Sequence, residues 1–276
     1  MSYIAACIQT TSGDDIDANI AHIAPLVEHA IQQKAQLITL PENAFYMRRE
    51  GTAAGGIFPM DKHPGVQWAQ EIATAHNVWI LVGSIRSAAE EGSDKPTNRS
   101  VLIGPAGMVA AYYDKVHLFD VTLPDGTHYK ESSQAGYGTV PVLAHTPLGS
   151  IGLTICYDLR FPHSYRELAL AGAQILLVPS AFTRPTGEAH WHALLRARAI
   201  ENGAYVLAPA QAGEHPGGRT TYGHSMIIDP WGSVLAEAGD APEVITATID
   251  LKKVDEVRAQ LPVLQHHREL KDVKIF

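Results

Sequence analysis

The chain has 276 residues, 46% of them hydrophobic, and a formal net charge of −8. That length supports one large α/β domain with a substantial core, and the acidic balance, with no basic cluster interleaved with aromatics, argues against a nucleic-acid partner. The only two cysteines, Cys7 and Cys156, need not pair, and so few thiols point to a reducing compartment. No basic segment leads the apolar run that starts at Tyr3, and no stretch of about 18 apolar residues occurs. A soluble cytoplasmic protein without membrane contact is expected.

In chain order, Tyr3 to Gln9 reads as a buried strand with Cys7 packed inside it. From Asp17, the residues Ile20, Ile23, Val27, Ala30 and Ile31 recur at helical spacing, which predicts an amphipathic helix ending near Ala35. Leu37 to Leu40 is a short buried strand that runs into Pro41-Glu42-Asn43. Gly51 to Gly56 reads as a small, flexible segment. Val66 to His76 reads as a helix and Val78 to Val82 as a strand. Asn98 to Ile103 and Met108 to Tyr113 form a hairpin around Gly104-Pro105-Ala106-Gly107, and its second arm runs into Asp114-Lys115. His117 to Thr139 is a long polar segment of the kind that is functional or disordered.

A second hairpin pairs Val140–Ala144 with Ile151–Cys156, and a third pairs His224–Asp229 with Val234–Glu237. Between them lie helix 164–172, strand 175–179, helix 188–202 and strand 205–208. Val244 to Ile249 is the last predicted element, and residues from about 262 read as an extended polar tail. Strands alternate with helices and also pair as hairpins. This mixture predicts two mixed sheets packed together with helices outside, in one domain spanning 1–276.

The stretch from Ser150 to Pro162 stands apart. An alternating apolar run ends on Cys156, and polar residues and a helix signal follow at once. Strand, sharp turn and helix lift a thiol from the sheet and aim the next backbone N–H groups at one point. A buried, inert thiol is the alternative. Glu42 and Lys115 share the position of Cys156: each ends an apolar strand where the chain leaves the sheet, the place where ligand sites gather. A thiol, a carboxylate to take its proton and an ammonium to hold developing negative charge together suit acyl transfer at a carbon–nitrogen bond.

Leu40-Pro41-Glu42-Asn43, Asp114-Lys115-Val116-His117-Leu118-Phe119-Asp120 and Cys156-Tyr157-Asp158-Leu159-Arg160-Phe161-Pro162 resemble the three signature blocks of the nitrilase superfamily of carbon–nitrogen hydrolases. The resemblance implies an α-β-β-α sandwich, with Glu42 as general base, Lys115 as electrostatic stabiliser, Cys156 as nucleophile forming a thioester, and Glu131 as a second glutamate in the loop after the lysine. Segments 180–191, 196–202 and 222–232 are similar to the Nit branch. Within it, the chain looks closer to deaminated-glutathione amidases, which act in metabolite repair, than to ω-amidases acting on α-ketoglutaramate or α-ketosuccinamate. N-carbamoyl amidase, nitrilase and a non-catalytic scaffold or sensor are the other readings. Arg184 departs from the apolar residue typical of the family.

A carboxylated amide substrate calls for donors and cations in the pocket. Tyr157 (through its backbone N–H), Arg160, Phe182 and Thr183 are the candidate contacts, although Arg160 could instead pair with Glu167 and Phe182 could fill the core. The resemblance also implies a homodimer or larger homo-oligomer, formed through the helix after Pro162 and the C-terminal tail. No cofactor is expected, and no catalytic metal: His190 and His192 lie two apart on a helix, His266 and His267 sit in the tail, and neither H-E-x-x-H nor C-x-x-C occurs.

Overall fold

Apolar runs become strands, and their two-residue alternation decides which layer each side chain enters. The computed structural model describes residues 2–49, 55–89, 94–123, 126–270 and 272–275. The first sheet takes β1 (Ser2–Gln9), β2 (Ala35–Thr39), β3 (Ile57–Phe58), β4 (Trp79–Ser87), β5 (Thr97–Ile103) and β6 (Val109–Asp114). A small hairpin, β7 (Asp120–Thr122) and β8 (His128–Lys130), follows. The second sheet takes β9 (Val142–Thr146), β10 (Gly149–Leu153), β11 (Ile175–Leu177) and β12 (Tyr205–Ala208). After a hairpin of β13 (Ala212–Glu214) and β14 (Thr220–Tyr222), β15 (Met226–Ile228) and β16 (Val234–Glu237) complete it. β17 (Glu243–Asp250) returns to the first sheet.

The first sheet has the order β17-β1-β2-β4-β5-β6, with β3 beside β4, and the second has the order β16-β15-β12-β11-β10-β9. In each, three central strands run parallel: β1, β2 and β4 in one, β10, β11 and β12 in the other. Ala5, Cys7, Leu37 and Leu81 face the second sheet, in one cluster with Ile151, Leu176 and Leu207. Their neighbours Ala6, Ile8, Ile38 and Ile80 face outward and cluster with Ile23 and Val27 of α1 (Ile16–Gln32) and Val66 and Ala69 of α2 (Pro64–His76). On the far side, α3 (Pro162–Leu170) and α4 (Arg184–Asn202) bring Tyr165, Trp191 and Leu195 onto the second sheet. The result is the expected α-β-β-α sandwich of mixed sheets.

Several boundaries differ from the sequence reading. α1 stops at Gln32, because Lys34 takes a left-handed φ of 63° and Ala35 already belongs to β2. The polar segment after His117 is not structureless: it holds β7, β8 and a 3-10 turn over Glu131–Ser133. Helix α5 (Leu251–Gln260) was not predicted; only Val254 and Val257 of its ten residues are buried, too few to write a helical period. The tail begins as a turn, with Gln265 N–H donating to Pro262 O, before running on exposed. Most of the segment read as flexible, residues 51–54, lies outside the described residues.

One close approach fixes the end of β2. A Cβ on Gly83 would lie 1.9 Å from Leu40 O and 2.4 Å from Pro41 O. Leu40 N–H donates to Leu81 O at 2.9 Å, and the β4–β5 register shifts between Val82 and Ile85. The chain therefore leaves the sheet toward Glu42 across bare backbone, which only glycine permits. Gly83→Ala is expected to cost about 1–3 kcal/mol or more of stability in urea unfolding, as overpacking does. Wild-type stability in that variant would contradict the packing described.

Candidate active site

Four strand ends meet at one place. β2 delivers Glu42, β6 delivers Lys115, β10 delivers Cys156, and β11 leads to Ala181 and Phe182. β2, β10 and β11 end on the same side because each lies in the parallel centre of its sheet, and β6 points the same way after two antiparallel steps from β4. The groups come from both sheets, so the site sits across the end of the sandwich.

Lys115 carries its ammonium into the protein interior, with a side chain only 2% exposed. Its Nζ donates to Glu42 Oε1 at 2.9 Å and to Glu131 Oε2 at 2.9 Å. Asn98 Nδ2 donates to both carboxylates, at 2.9 Å to Glu42 Oε1 and 3.1 Å to Glu131 Oε1. The other oxygen of Glu42 accepts from Ala181 N–H at 2.9 Å, and Glu131 Oε2 accepts from Phe119 N–H at 2.7 Å. The Cys156 thiol lies near enough to Glu42 for the carboxylate to raise its pKa.

These contacts set the protonation state. Burial pushes the Glu42 carboxyl up, but the Lys115 charge and the hydrogen bonds from Cys156 and Lys115 bring it below its ordinary value. Burial opposes the charge on Lys115, yet Glu131 and Glu42 hold its ammonium well above the usual lysine range. Burial and the Glu42 charge push the Cys156 thiol well up, against the opposite pull of Lys115. At rest the site is therefore a carboxylate, an ammonium and a neutral thiol.

The turn that bears Cys156 is strained and tied down. Cys156 has φ 49°, left-handed for a residue with a Cβ, at the start of a 3-10 turn over Cys156–Arg160. Its N–H donates to Pro179 O at 3.0 Å. Asp158, fully buried, closes the turn by accepting from Ile155 N–H at 2.9 Å. The same carboxylate accepts from the Tyr113 hydroxyl at 2.8 Å, from His117 N–H at 3.0 Å, and contacts His117 Nδ1 at 2.7 Å. Asp158 thus fastens the turn bearing Cys156 to both sides of Lys115. His117 is held flat on Phe161, with ring centroids 3.5 Å apart.

A cavity of about 340 Å³ opens on these groups. Glu42, Lys115, Glu131, Cys156, Tyr157, Phe182 and Thr183 all line it. Arg160 is not in the lining: its guanidinium lies 5.4 Å from the Phe182 ring centroid and meets His190 at 3.3 Å. Arg184 also lies outside the lining and pairs with Asp240 and Glu188 at the surface. Besides Lys115, the lysines and arginines that line the cavity are Arg48, Arg86, Lys130 and Arg219. None followed a clean strand end, and sequence reasoning missed them. Asn98 gave no signal either, since it opens a strand rather than closing one.

The sequence profile of the carbon-nitrogen hydrolase family matches residues 4–259. The chain belongs to this family. It is 43% identical over 269 residues to the deaminated glutathione amidase of Synechocystis sp. (strain PCC 6803 / GT-S), covering 96% of this chain and 97% of that one. It is 39% identical to the deaminated glutathione amidase of Yersinia enterocolitica, covering 95% and 92%. Among solved structures, the C. elegans NitFhit protein superposes with a TM-score of 0.87 at 36% identity; the match covers 97% of this chain and 65% of that longer one. Saccharomyces cerevisiae Nit3, a member of branch 10 of the nitrilase superfamily, gives 0.85 at 30% identity, covering 95% of each. A mutant of the amidase from Nesterenkonia sp. AN1, TM-score 0.75 at 26% identity and covering 94% of this chain and 98% of that one, shows the result of Michael addition of acrylamide at the active site cysteine.

The electrostatics make a signed prediction for thiol alkylation. Glu42→Gln removes the charge that raises the Cys156 pKa, so the pH midpoint of iodoacetamide labelling should fall. Lys115→Met removes the charge that lowers it, so the midpoint should rise. Each pH unit of movement changes the thiolate fraction about tenfold at fixed pH below the midpoint. Movement of either midpoint in the opposite direction would contradict the assigned charge states.

Proposed function

We propose that this chain is a thiol amidase that hydrolyses deaminated glutathione, a metabolite-repair reaction, with Cys156 as nucleophile, Glu42 as acid–base group, Lys115 as oxyanion stabiliser and Glu131 as the group that holds Lys115. The observation that carries the reading is the buried Glu42–Lys115–Glu131 network beneath a thiol at the floor of a cation-lined cavity. The names of the relatives in Synechocystis and Yersinia support the substrate, and the cysteine adduct of the Nesterenkonia amidase supports the nucleophile.

The reaction follows from the resting charges. A thiol pushed this far up does not ionise in advance, so its proton passes to Glu42 as sulfur bonds to the amide carbon. The carbonyl electrons move to oxygen, and that negative charge is held by Lys115 and the Tyr157 N–H. One such donor is worth on the order of 10²–10³ in rate. When the carbon–nitrogen bond breaks, the departing amine takes the proton from Glu42. Glu42 then accepts a proton from water as it attacks the thioester, and the acid leaves with the thiol restored. At rest Glu131 and Glu42 both hold Lys115 protonated, and Glu131 continues to do so while Glu42 carries the proton.

The substrate carries a keto-acid carboxylate at one end and a peptide carboxylate at the other. Burial and the nearby Arg48 charge both depress the Arg86 guanidinium, so two like charges face one cavity there. A bound carboxylate relieves that repulsion and accepts charge-assisted hydrogen bonds. Assembly as a homo-oligomer belongs to the same proposal; exposed Leu170, Ile200, Trp231 and Val234 supply apolar surface for it.

Turnover should be measured on deaminated glutathione, α-ketoglutaramate and a neutral aliphatic amide, with Cys156→Ala as the blank. Deaminated glutathione should have the highest kcat/KM, and the blank should show no turnover. Arg86→Ala should raise KM for the dicarboxylate about 10- to 100-fold, the worth of one charged hydrogen bond, and leave the neutral amide nearly unchanged. A clear preference for α-ketoglutaramate would move the substrate assignment to an ω-amidase. Equal KM effects on both substrates would remove Arg86 from carboxylate recognition.

A further inference from the structure

Outside the cavity, one cluster of metal-ligating side chains stands out among the described residues. His192 on α4, His224 between β14 and β15, and Glu237 at the end of β16 place their ligand atoms within 4.8 Å of one another. His192 Nε2 lies 2.8 Å and His224 Nδ1 3.0 Å from the same Glu237 oxygen. The three are partly exposed, with side chains 39%, 23% and 34% accessible, so an ion in water can reach them. The amidase reaction uses none of them.

We propose that His192, His224 and Glu237 bind one zinc-type divalent cation that clips α4 to the β15–β16 hairpin. Two imidazoles and a carboxylate are the donor set such an ion prefers, with a fourth position open to water. Bonds of 2.0–2.2 Å place tetrahedral ligand atoms about 3.3 Å apart. The carboxylate contacts need to lengthen only by a few tenths of an ångström, and the two imidazoles need to close from at most 4.8 Å.

The backbone beneath the cluster is fixed independently of any ion. Trp191 Nε1–H donates to His224 O at 2.7 Å, so the residue before His192 already grips the residue that carries the second imidazole. His224 holds φ 54°, a left-handed conformation that a residue with a Cβ adopts only where its surroundings impose it. Tyr222 stacks on its ring, with centroids 4.3 Å apart and planes 25° apart. With Nδ1 toward Glu237, the opposite nitrogen of His224 faces Asp240 Oδ1 at 3.8 Å. A carboxylate behind a ligating imidazole is the arrangement that orients metal-bound histidines. Trp191 also packs on Phe182, 4.9 Å between centroids, so the clip braces one wall of the cavity without touching its chemistry.

The alternative is a hydrogen-bonded His–Glu–His trio that binds no ion. Equilibrium dialysis against Zn²⁺ at pH 7.5 separates the two, on the full chain bearing Cys156→Ala so that the reactive thiol is not a competing ligand. The Cys7 thiol is fully buried and pushed up to about 12 by that burial. The expected result is one zinc per chain bound tighter than about 10 μM, a higher Tm with zinc than without, and a ten- to hundredfold loss of affinity in both His192→Ala and Glu237→Gln. Both substitutions are at partly exposed side chains, and unchanged Tm values without zinc will show that the fold is kept. No binding in this range, or stoichiometric binding that survives both substitutions, would overturn the proposal.

Discussion

Lys115 brings a full positive charge to a position 2% exposed, and the carboxylates of Glu42 and Glu131 are what make it tolerable. Burying an unpaired ammonium costs several kcal/mol, and breaking a buried pair leaves that cost behind. Two carboxylates around one ammonium leave a net negative charge beside Cys156. Burial and the charge of Glu42 together keep that thiol protonated, while Lys115 holds Glu42 ionised beside it. In the proposed reaction the same carboxylate serves a structural need and a chemical one. Asn98 reinforces the arrangement with a hydrogen bond to each carboxylate.

The fold exists to bring those groups together from far apart in sequence. Glu42 and Lys115 are 73 residues apart, and Glu42 and the Ala181 amide 139. Each sheet contributes a parallel centre whose strands open at the same end, and stacking the sheets makes one site from both. Gly83 lets β2 cross close to β4 on its way to Glu42, and Asp158 locks the turn that bears Cys156 to the segment around Lys115. Asp158 holds backbone and side-chain donors from two elements at once, so its charge is spent on geometry at the turn where Cys156 takes a left-handed φ.

The central groups were legible in the sequence because each follows an apolar strand. Leu37 to Leu40, Met108 to Tyr113 and Ile151 to Ile155 announce strands by composition and alternation, and the polar residue that comes next is conspicuous. The cations of the cavity were not legible. Arg48 follows a turn, Arg86 lies within β4, and Arg219 sits in the β13–β14 hairpin, so no local pattern distinguishes them from surface arginines. Arg160 and Arg184 were singled out by closeness in sequence to Cys156 and Phe182, but short helical turns carry neighbouring side chains in different directions, and both end outside the lining. The histidines show the same limit. His190 and His192 looked like a pair in sequence, whereas the structure joins His192 to His224 and Glu237, 32 and 45 residues away, through sheet topology that no local period encodes.

The most direct measurement of the central claim is intact-protein mass spectrometry of rapidly quenched mixtures of the enzyme with deaminated glutathione. The account predicts a transient adduct with the mass of the keto-acyl group, mapped to Cys156 by peptide digestion, that appears as the dipeptide amine is released and decays as the keto acid forms. Turnover that proceeds with no acyl adduct at any quench time, or an adduct at Cys156 that is never hydrolysed, would contradict it.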